Sequence, residues 1–145
     1  MDSPGQVLVV SSELENRRSV AGILEREGCD IVCASRVRDC QEVLATHNIN
    51  LVFCDRRLAD GSYRDILALI RPLDRKVRVI VTSRLADWDE YLEALHQGAF
   101  DLIASPCQPT DVAWTLIQAR REDQERAGFV APGKSRAASV GHASL

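Results

Sequence analysis

Short apolar runs alternate along this chain with longer stretches in which apolar residues recur every three or four positions. Residues 7–10, Val-Leu-Val-Val, form an unbroken apolar run, the pattern of a strand buried on both faces. Further strands are expected at 30–34, 50–55, 77–82 and 101–105. The intervening stretches read as helices. Residues 13–27 offer Val20, Ile23 and Leu24 for a buried stripe, and 37–46 offer Val37, Cys40, Val43 and Leu44 at helical spacing. Gly28 follows the first helix, where a left-handed residue is favoured. A third helix covers 63–71 and is stopped by Pro72. A fourth covers 87–96 and ends at Gly98. Pro109 suits the first turn of a fifth, which continues to about residue 125.

Five strand–helix units in succession predict an α/β domain, a five-stranded parallel sheet with helices on both faces and right-handed crossovers. The periodicity fades towards Gly128, where Ala, Gly, Ser, Pro and basic residues take over. Residues 5–125 therefore read as one domain and 126–145 as a disordered tail. No internal repeat is visible beyond the strand–helix unit.

Composition narrows the function classes. At 46% hydrophobic and 27% charged residues, the chain is an ordinary soluble globular protein. Its net charge of −3 gives no reason to expect nucleic-acid or membrane attraction. No apolar stretch approaches the roughly 20 residues of a membrane span, and the N-terminus lacks the basic and apolar regions of a signal peptide. The cysteines at 29, 33, 40, 54 and 107 form no CxxC pair. Reduced thiols in a cytoplasmic protein are the simplest reading.

The most informative segment runs from Ile49 through Asp55 to Ser62. It is an apolar strand that delivers one carboxylate, Asp55, to a polar turn. Around it stand Val7-Leu-Val-Val10, Val79-Ile-Val-Thr82, Ala94-Leu95-His-Gln-Gly98-Ala99-Phe-Asp101 and Ser105-Pro106. This ordered set resembles the motifs of a bacterial response-regulator receiver domain, in order and spacing, over approximately residues 5 to 121. The resemblance implies a flavodoxin-like strand order 2-1-3-4-5 with the site at the carboxyl ends of the strands. It also implies that Asp55 corresponds to the aspartate that accepts a phosphoryl group from a histidine kinase.

Phosphoryl transfer to a carboxylate brings anion against anion. A Mg²⁺ ion that bridges the two relieves the repulsion and prefers an oxygen-rich octahedral site. In the family, two acidic residues after the first strand help to hold that metal. A lysine before the last strand's proline pairs with the phosphoryl group, and a Thr or Ser ending the fourth strand donates to it. This sequence keeps Asp55 and Thr82 but places Ser11 and Ser12 at the acidic pair, with Glu13 one residue later. Neutral hydroxyls hold a dication far less well than carboxylates. Ser105 stands at the lysine position without charge or reach. Leu102 occupies the aromatic switch position and cannot toggle an amphipathic ring. Arg57 and Arg84 lie two residues beyond Asp55 and Thr82, so either guanidinium could pair with Asp55 in place of a metal. Solvated loop arginines are the default.

Other residues support bland roles. Cys54 sits inside an apolar strand and reads as a packed thiol; Cys107, after Pro106, is better placed to react. His47 and His96 lie near helix ends, where a cation meets the negative end of the dipole. No His/Cys spacing suits zinc, and no glycine-rich phosphate loop is present. Trp88, Tyr91, Leu92 and Leu95 share a helix-four face read mostly as core, whereas Trp114 lies opposite Val112 and Leu116, which suggests an exposed aromatic. Arg136 to Ser139 resembles a basic-directed kinase site, a pattern short enough to arise by chance.

The resemblance implies two-component (phosphorelay) signal transduction. The altered residues favour a non-enzymatic pseudo-receiver without a cofactor, acting through a histidine kinase or effector protein. A homodimer through the helix 4–strand 5–helix 5 face is a further expectation. The alternative is an active single-domain receiver, phosphorylated on Asp55 with Mg²⁺.

Overall fold

The structure, a computed structural model, describes residues 5–128. The chain divides into two units, Met1–Thr115 and Leu116–Leu145. The first carries the sheet and the crevice described below; the described part of the second continues the last helix to Gly128.

In chain order the elements are β1 (Gln6–Val10), α1 (Leu14–Arg26), β2 (Ile31–Ala34), α2 (Val37–Thr46) and β3 (Ile49–Asp55). They continue with β4 (Arg57–Leu58), β5 (Gly61–Ser62), α3 (Tyr63–Ile70), β6 (Arg78–Ser83), α4 (Trp88–Gln97), β7 (Asp101–Ala104) and α5 (Pro109–Gly128). The five long strands form one sheet in the order β2-β1-β3-β6-β7, and every pairing is parallel. Counting only those strands, this is the expected 2-1-3-4-5 order. The short β4 and β5 form a separate antiparallel pair. Sequence reasoning missed it because two-residue strands carry no periodicity.

The alternation of side chains across the strands accounts for two covered faces. Leu8, Val10, Val52, Cys54, Val79 and Val81 join α2, α3 and α4 residues such as Leu44, Ile66 and Ala94 in one core cluster. The intervening Val9, Phe53 and Ile80 are buried as well, as are Val20, Ile23 and Leu24 of α1. Each such aliphatic or aromatic side chain contributes about 1.5–3 kcal/mol on full burial. Position-specific chemistry ends several elements. Gly28 and Gly98 have φ of 86° and 111°, a left-handed backbone that glycine adopts without a Cβ clash. Ser62 and Asp65 form a reciprocal capping box at α3.

Helix α4 departs from expectation. Trp88 is 55% and Leu92 45% exposed, and Tyr91 and Leu95 are only partly buried. The helix enters the core through the small Ala94, followed by Ala99, with Tyr91 packed against it, which leaves Trp88 and Leu92 outward. Trp88 stacks on Tyr91 with ring centroids 5.3 Å apart. Trp114 is exposed, as its position opposite Val112 implied. The part of the 126–145 tail beyond Gly128, including Arg136 to Ser139, lies outside the described residues.

Candidate functional site

The sheet order reverses between β1 and β3, and the carboxyl ends of these strands open a crevice there. Strand register decides which side chains meet in it. Val10 pairs with Cys54 and Asp55 with Thr82. Ser11, one residue past Val10, therefore arrives beside Asp55, with Thr82 on the other flank.

The Asp55 carboxylate is enclosed by neutral donors. Ser11 Oγ donates to Oδ2 at 2.6 Å. Thr82 Oγ1 and Asn16 Nδ2 donate to Oδ1 at 2.8 and 2.7 Å. Asn16, in the first turn of α1, also accepts from Ser105 Oγ at 3.2 Å through its Oδ1. Ser105 thus reaches Asp55 only through Asn16. Burial pushes the Asp55 carboxyl above its ordinary range; the Ser11 and Thr82 hydroxyls oppose this, the charge of Glu13 adds to it, and the Asn16 amide opposes it.

The other anticipated site residues are engaged elsewhere. Ser12 Oγ donates to Ser35 O at 2.9 Å and accepts from Ala59 N at 2.8 Å, so it ties three loops together rather than facing Asp55. Glu13, which holds the N-cap position of α1 without a side-chain cap, pairs with Arg84, whose Nη2 lies 2.7 and 2.8 Å from its two carboxylate oxygens. Arg84 therefore bridges the rim and does not clamp Asp55. Arg57 is exposed at the same rim. Leu102 is 8% exposed and belongs to the core cluster; the expectation that it lines the site is corrected. A leucine at a strand centre gains more by joining the core than by facing a polar cleft. The cleft itself has a volume of about 290 Å³. Besides the residues already placed, Arg56, Ser83 and Leu85 line it.

Asn16 was missed because attention fell on the residues directly after the first strand. The available signal was a polar amide in the first turn of a helix whose N-terminus points toward the strand ends. Arg56 was missed because a charged residue beside the acceptor reads as a solvated loop position.

These residues do not fit a Mg²⁺ ion. Asp55 is the only carboxylate in the crevice not paired with a cation, the two serines are neutral, and Ser12 is committed to backbone groups. Among the described residues no group of three His, Cys, Asp or Glu could hold a metal.

Cys107 is also settled by burial. It is 6% exposed, and desolvation, reinforced by Asp55 and Asp111, pushes its thiol up to about 11. Cys40 is pushed up to about 12 by burial, aided by Asp39 and Asp60, and Cys54 rises well above its ordinary value. Cys107, better placed than Cys54 to react on sequence position alone, is therefore unreactive in the folded protein, since a buried thiol yields little thiolate. Alkylation of the native protein at pH 8 should label exposed Cys33 first. Peptide mass mapping should find Cys40, Cys54 and Cys107 protected until denaturant is added. Rapid labelling of Cys107 would contradict this.

An aspartate at the carboxyl end of the central strand, at the switch point of a 2-1-3-4-5 parallel sheet, agrees with the receiver arrangement that the sequence motifs resemble. Residues 7–116 match the family model of the response regulator receiver domain, and the chain belongs to that family, a module of two-component signalling. It is 31% identical over 115 residues to the aerobic respiration control protein ArcA of Escherichia coli, across 77% of this chain and 46% of that protein. It is 29% identical over 108 residues to the alginate biosynthesis transcriptional regulatory protein AlgB of Pseudomonas putida, across 74% of this chain and 24% of that protein. The chain thus spans less than half the length of both regulators. Among solved structures, the receiver domain of NtrX from Brucella abortus is 26% identical with a TM-score of 0.71, covering 79% of this chain and 97% of that one. A receiver domain protein from Clostridium thermocellum reaches a TM-score of 0.74 at 22% identity, across 83% and 98% of the two chains, which shows the fold alone. Among the described residues no helix is long and apolar enough to cross a membrane.

Proposed function

We propose that this chain is a pseudo-receiver: a non-enzymatic, cytoplasmic two-component module that works by protein contact and not by phosphoryl transfer to Asp55. One observation carries the reading. The acceptor carboxylate is already hydrogen-bonded by Ser11, Asn16 and Thr82, while the acidic pair and the lysine that the chemistry needs are replaced by Ser11, Ser12 and Ser105. A phosphoryl group arriving there would face the Asp55 and Glu13 charges with no metal to offset them. We take residues 5–125 as the receiver unit and a histidine kinase or an effector protein as its partner. The competing reading, an active receiver, draws on Asp55 and Thr82 being held in register. A small-molecule phosphodonor supplied with Mg²⁺ separates the two, read as mass gained on Asp55.

A module of this kind needs a standing interface. We place it on α4, β7 and the start of α5, where Trp88, Leu92 and Trp114 are exposed, and take a second copy of the chain as the occupant. Aromatic anchors are enriched at binding hot spots. Trp114→Ala should weaken self-association by ~1–3 kcal/mol while leaving Tm almost unchanged. Sedimentation measured beside thermal melting checks this. A stability loss of ~3–5 kcal/mol with no change in association would instead assign Trp114 to the core.

A further inference from the structure

The loop between β6 and α4 contains Ala86 at φ 46°. A non-glycine residue in this left-handed region is strained and persists only where its surroundings hold it. Here the holder is identifiable. Glu90 lies in the first turn of α4, with its backbone N–H bonded to the cap Asp87 Oδ1 at 2.9 Å. In an ordinary capping box its carboxylate would return to the cap residue's own N–H. Instead Glu90 Oε1 accepts from the N–H of Ala86 at 3.0 Å and from Ser83 Oγ at 2.5 Å. The box is displaced by one residue, onto the strained position.

The second oxygen of the same carboxylate leads back to the cleft. Glu90 Oε2 lies 3.3 Å from Arg56 Nε, in a pair whose side chains are 12% and 31% exposed. Arg56 is the residue after Asp55, and its backbone N–H bonds Thr82 O at 2.8 Å. One half-buried ion pair therefore joins the acceptor strand to the loop that presents Leu85, 68% exposed, and to the helix that presents Trp88 and Leu92. Partly buried charge pairs of this kind are costly to break on one side only.

We propose that Glu90 is a latch that holds the β6–α4 loop in its strained turn, and that Arg56 couples the latch to the Asp55 cleft. Any event that draws Arg56 toward the cleft weakens the hold on Ala86 and frees the first turn of α4 with its apolar edge. The inference rests on these contacts and not on the absence of phosphorylation, so it stands whether or not Asp55 is labelled.

Hydrogen exchange on the full chain tests it. Glu90→Ala should speed exchange at the Ala86 and Glu90 amides by about tenfold or more while the β3 and β6 amides keep their protection, the signature of a local opening. Adding Ala86→Gly to Glu90→Ala should recover part of the lost protection, because glycine adopts the left-handed turn without strain. Arg56→Ala, made separately, should loosen residues 84–90 in the same pattern but to a smaller extent. Should Glu90→Ala fail to fold, the Arg56→Ala exchange pattern decides alone. The latch is overturned if loop exchange is unchanged in Arg56→Ala, or if protection falls equally across the sheet in either variant.

Discussion

Incubation with acetyl phosphate and millimolar Mg²⁺ should leave Asp55 without the mass gain of a phosphoryl group. Calorimetric titration should likewise show no saturable Mg²⁺ binding. A divalent ion must exchange tightly held water for ligands of opposite charge, and this crevice offers one carboxylate already bonded to three donors. The variant Ser11→Asp with Ser12→Asp should bind Mg²⁺, by roughly tenfold or more over the parent, because each added carboxylate supplies charge that a hydroxyl lacks. That gain will be partly offset, since Ser12 Oγ now joins Ser35 O to Ala59 N and a carboxylate cannot donate to that carbonyl. Phosphorylation-linked switching should need Ser105→Lys as well, because Ser105 contributes no cation. Efficient labelling of the parent protein would show that Glu13 or another group rebuilds the metal site, and would make this an active receiver.

Asp55→Asn should stabilise the protein at neutral pH and lose that advantage in acid. The sign follows from the raised pKa of Asp55, whose largest cause is burial. Between the ordinary value of 3.8 and the higher folded value, the folded state holds more protons than the unfolded state. Stability therefore falls as pH rises through that window, and the loss persists at pH 7. An amide carries no such titration. Its oxygen still accepts from Thr82 and Asn16, and the Ser11 hydroxyl can turn to accept from its nitrogen. The gain should be on the order of 1 kcal/mol, or roughly 3 °C in Tm for a chain of this size. Denaturant melts at pH 7 and at pH 3.5 check it. If the parent is the more stable at pH 7, the three donors outweigh burial, and Asp55 is held as a favourable anion.

The two outcomes are linked through the same hydrogen bonds. Three donors soften the cost of burying the carboxylate and occupy most of the roughly four acceptor positions it could offer a metal. A site kept for phosphoryl chemistry would leave that carboxylate unsatisfied until its metal arrived. This crevice is nearly self-contained.

Some of this was legible in the residues alone. The unbroken run at Val7 to Val10 and the alternation of strand with helix led directly to a doubly covered parallel sheet. A strand buried on both faces has no other economical sequence pattern. Gly28, Gly98 and Pro109 marked element ends because backbone conformations are local properties. Asp55 stood out as a carboxylate at the end of an apolar run, and the serines beside it stood out as neutral residues where charge was expected.

What side chains do with one another was not legible. Asn16 was invisible as a site residue because its approach to Asp55 depends on where α1 starts relative to β1. Glu13 could be placed near the rim but not paired, since Arg84 lies 71 positions away. The α4 stripe misled because helical spacing states that residues share a face and not which face is turned to the core. There the small Ala94 decided the packing. The burial of Cys107 was hidden for a related reason: proximity to the site in sequence says nothing of burial.

By itself, then, the sequence determined the strand–helix order, the sheet and the residue types available at the crevice, because periodicity, turn chemistry and charge are written position by position. Only the tertiary structure decided that Ser11, Asn16 and Thr82 close on Asp55, that Arg84 serves Glu13, and that Glu90 holds Ala86 and reaches Arg56. Those pairings join residues that the sheet register and helix placement bring within three ångströms or so of one another. Contact between distant side chains is a property of the packed chain, where a shift of one residue in register would exchange every partner.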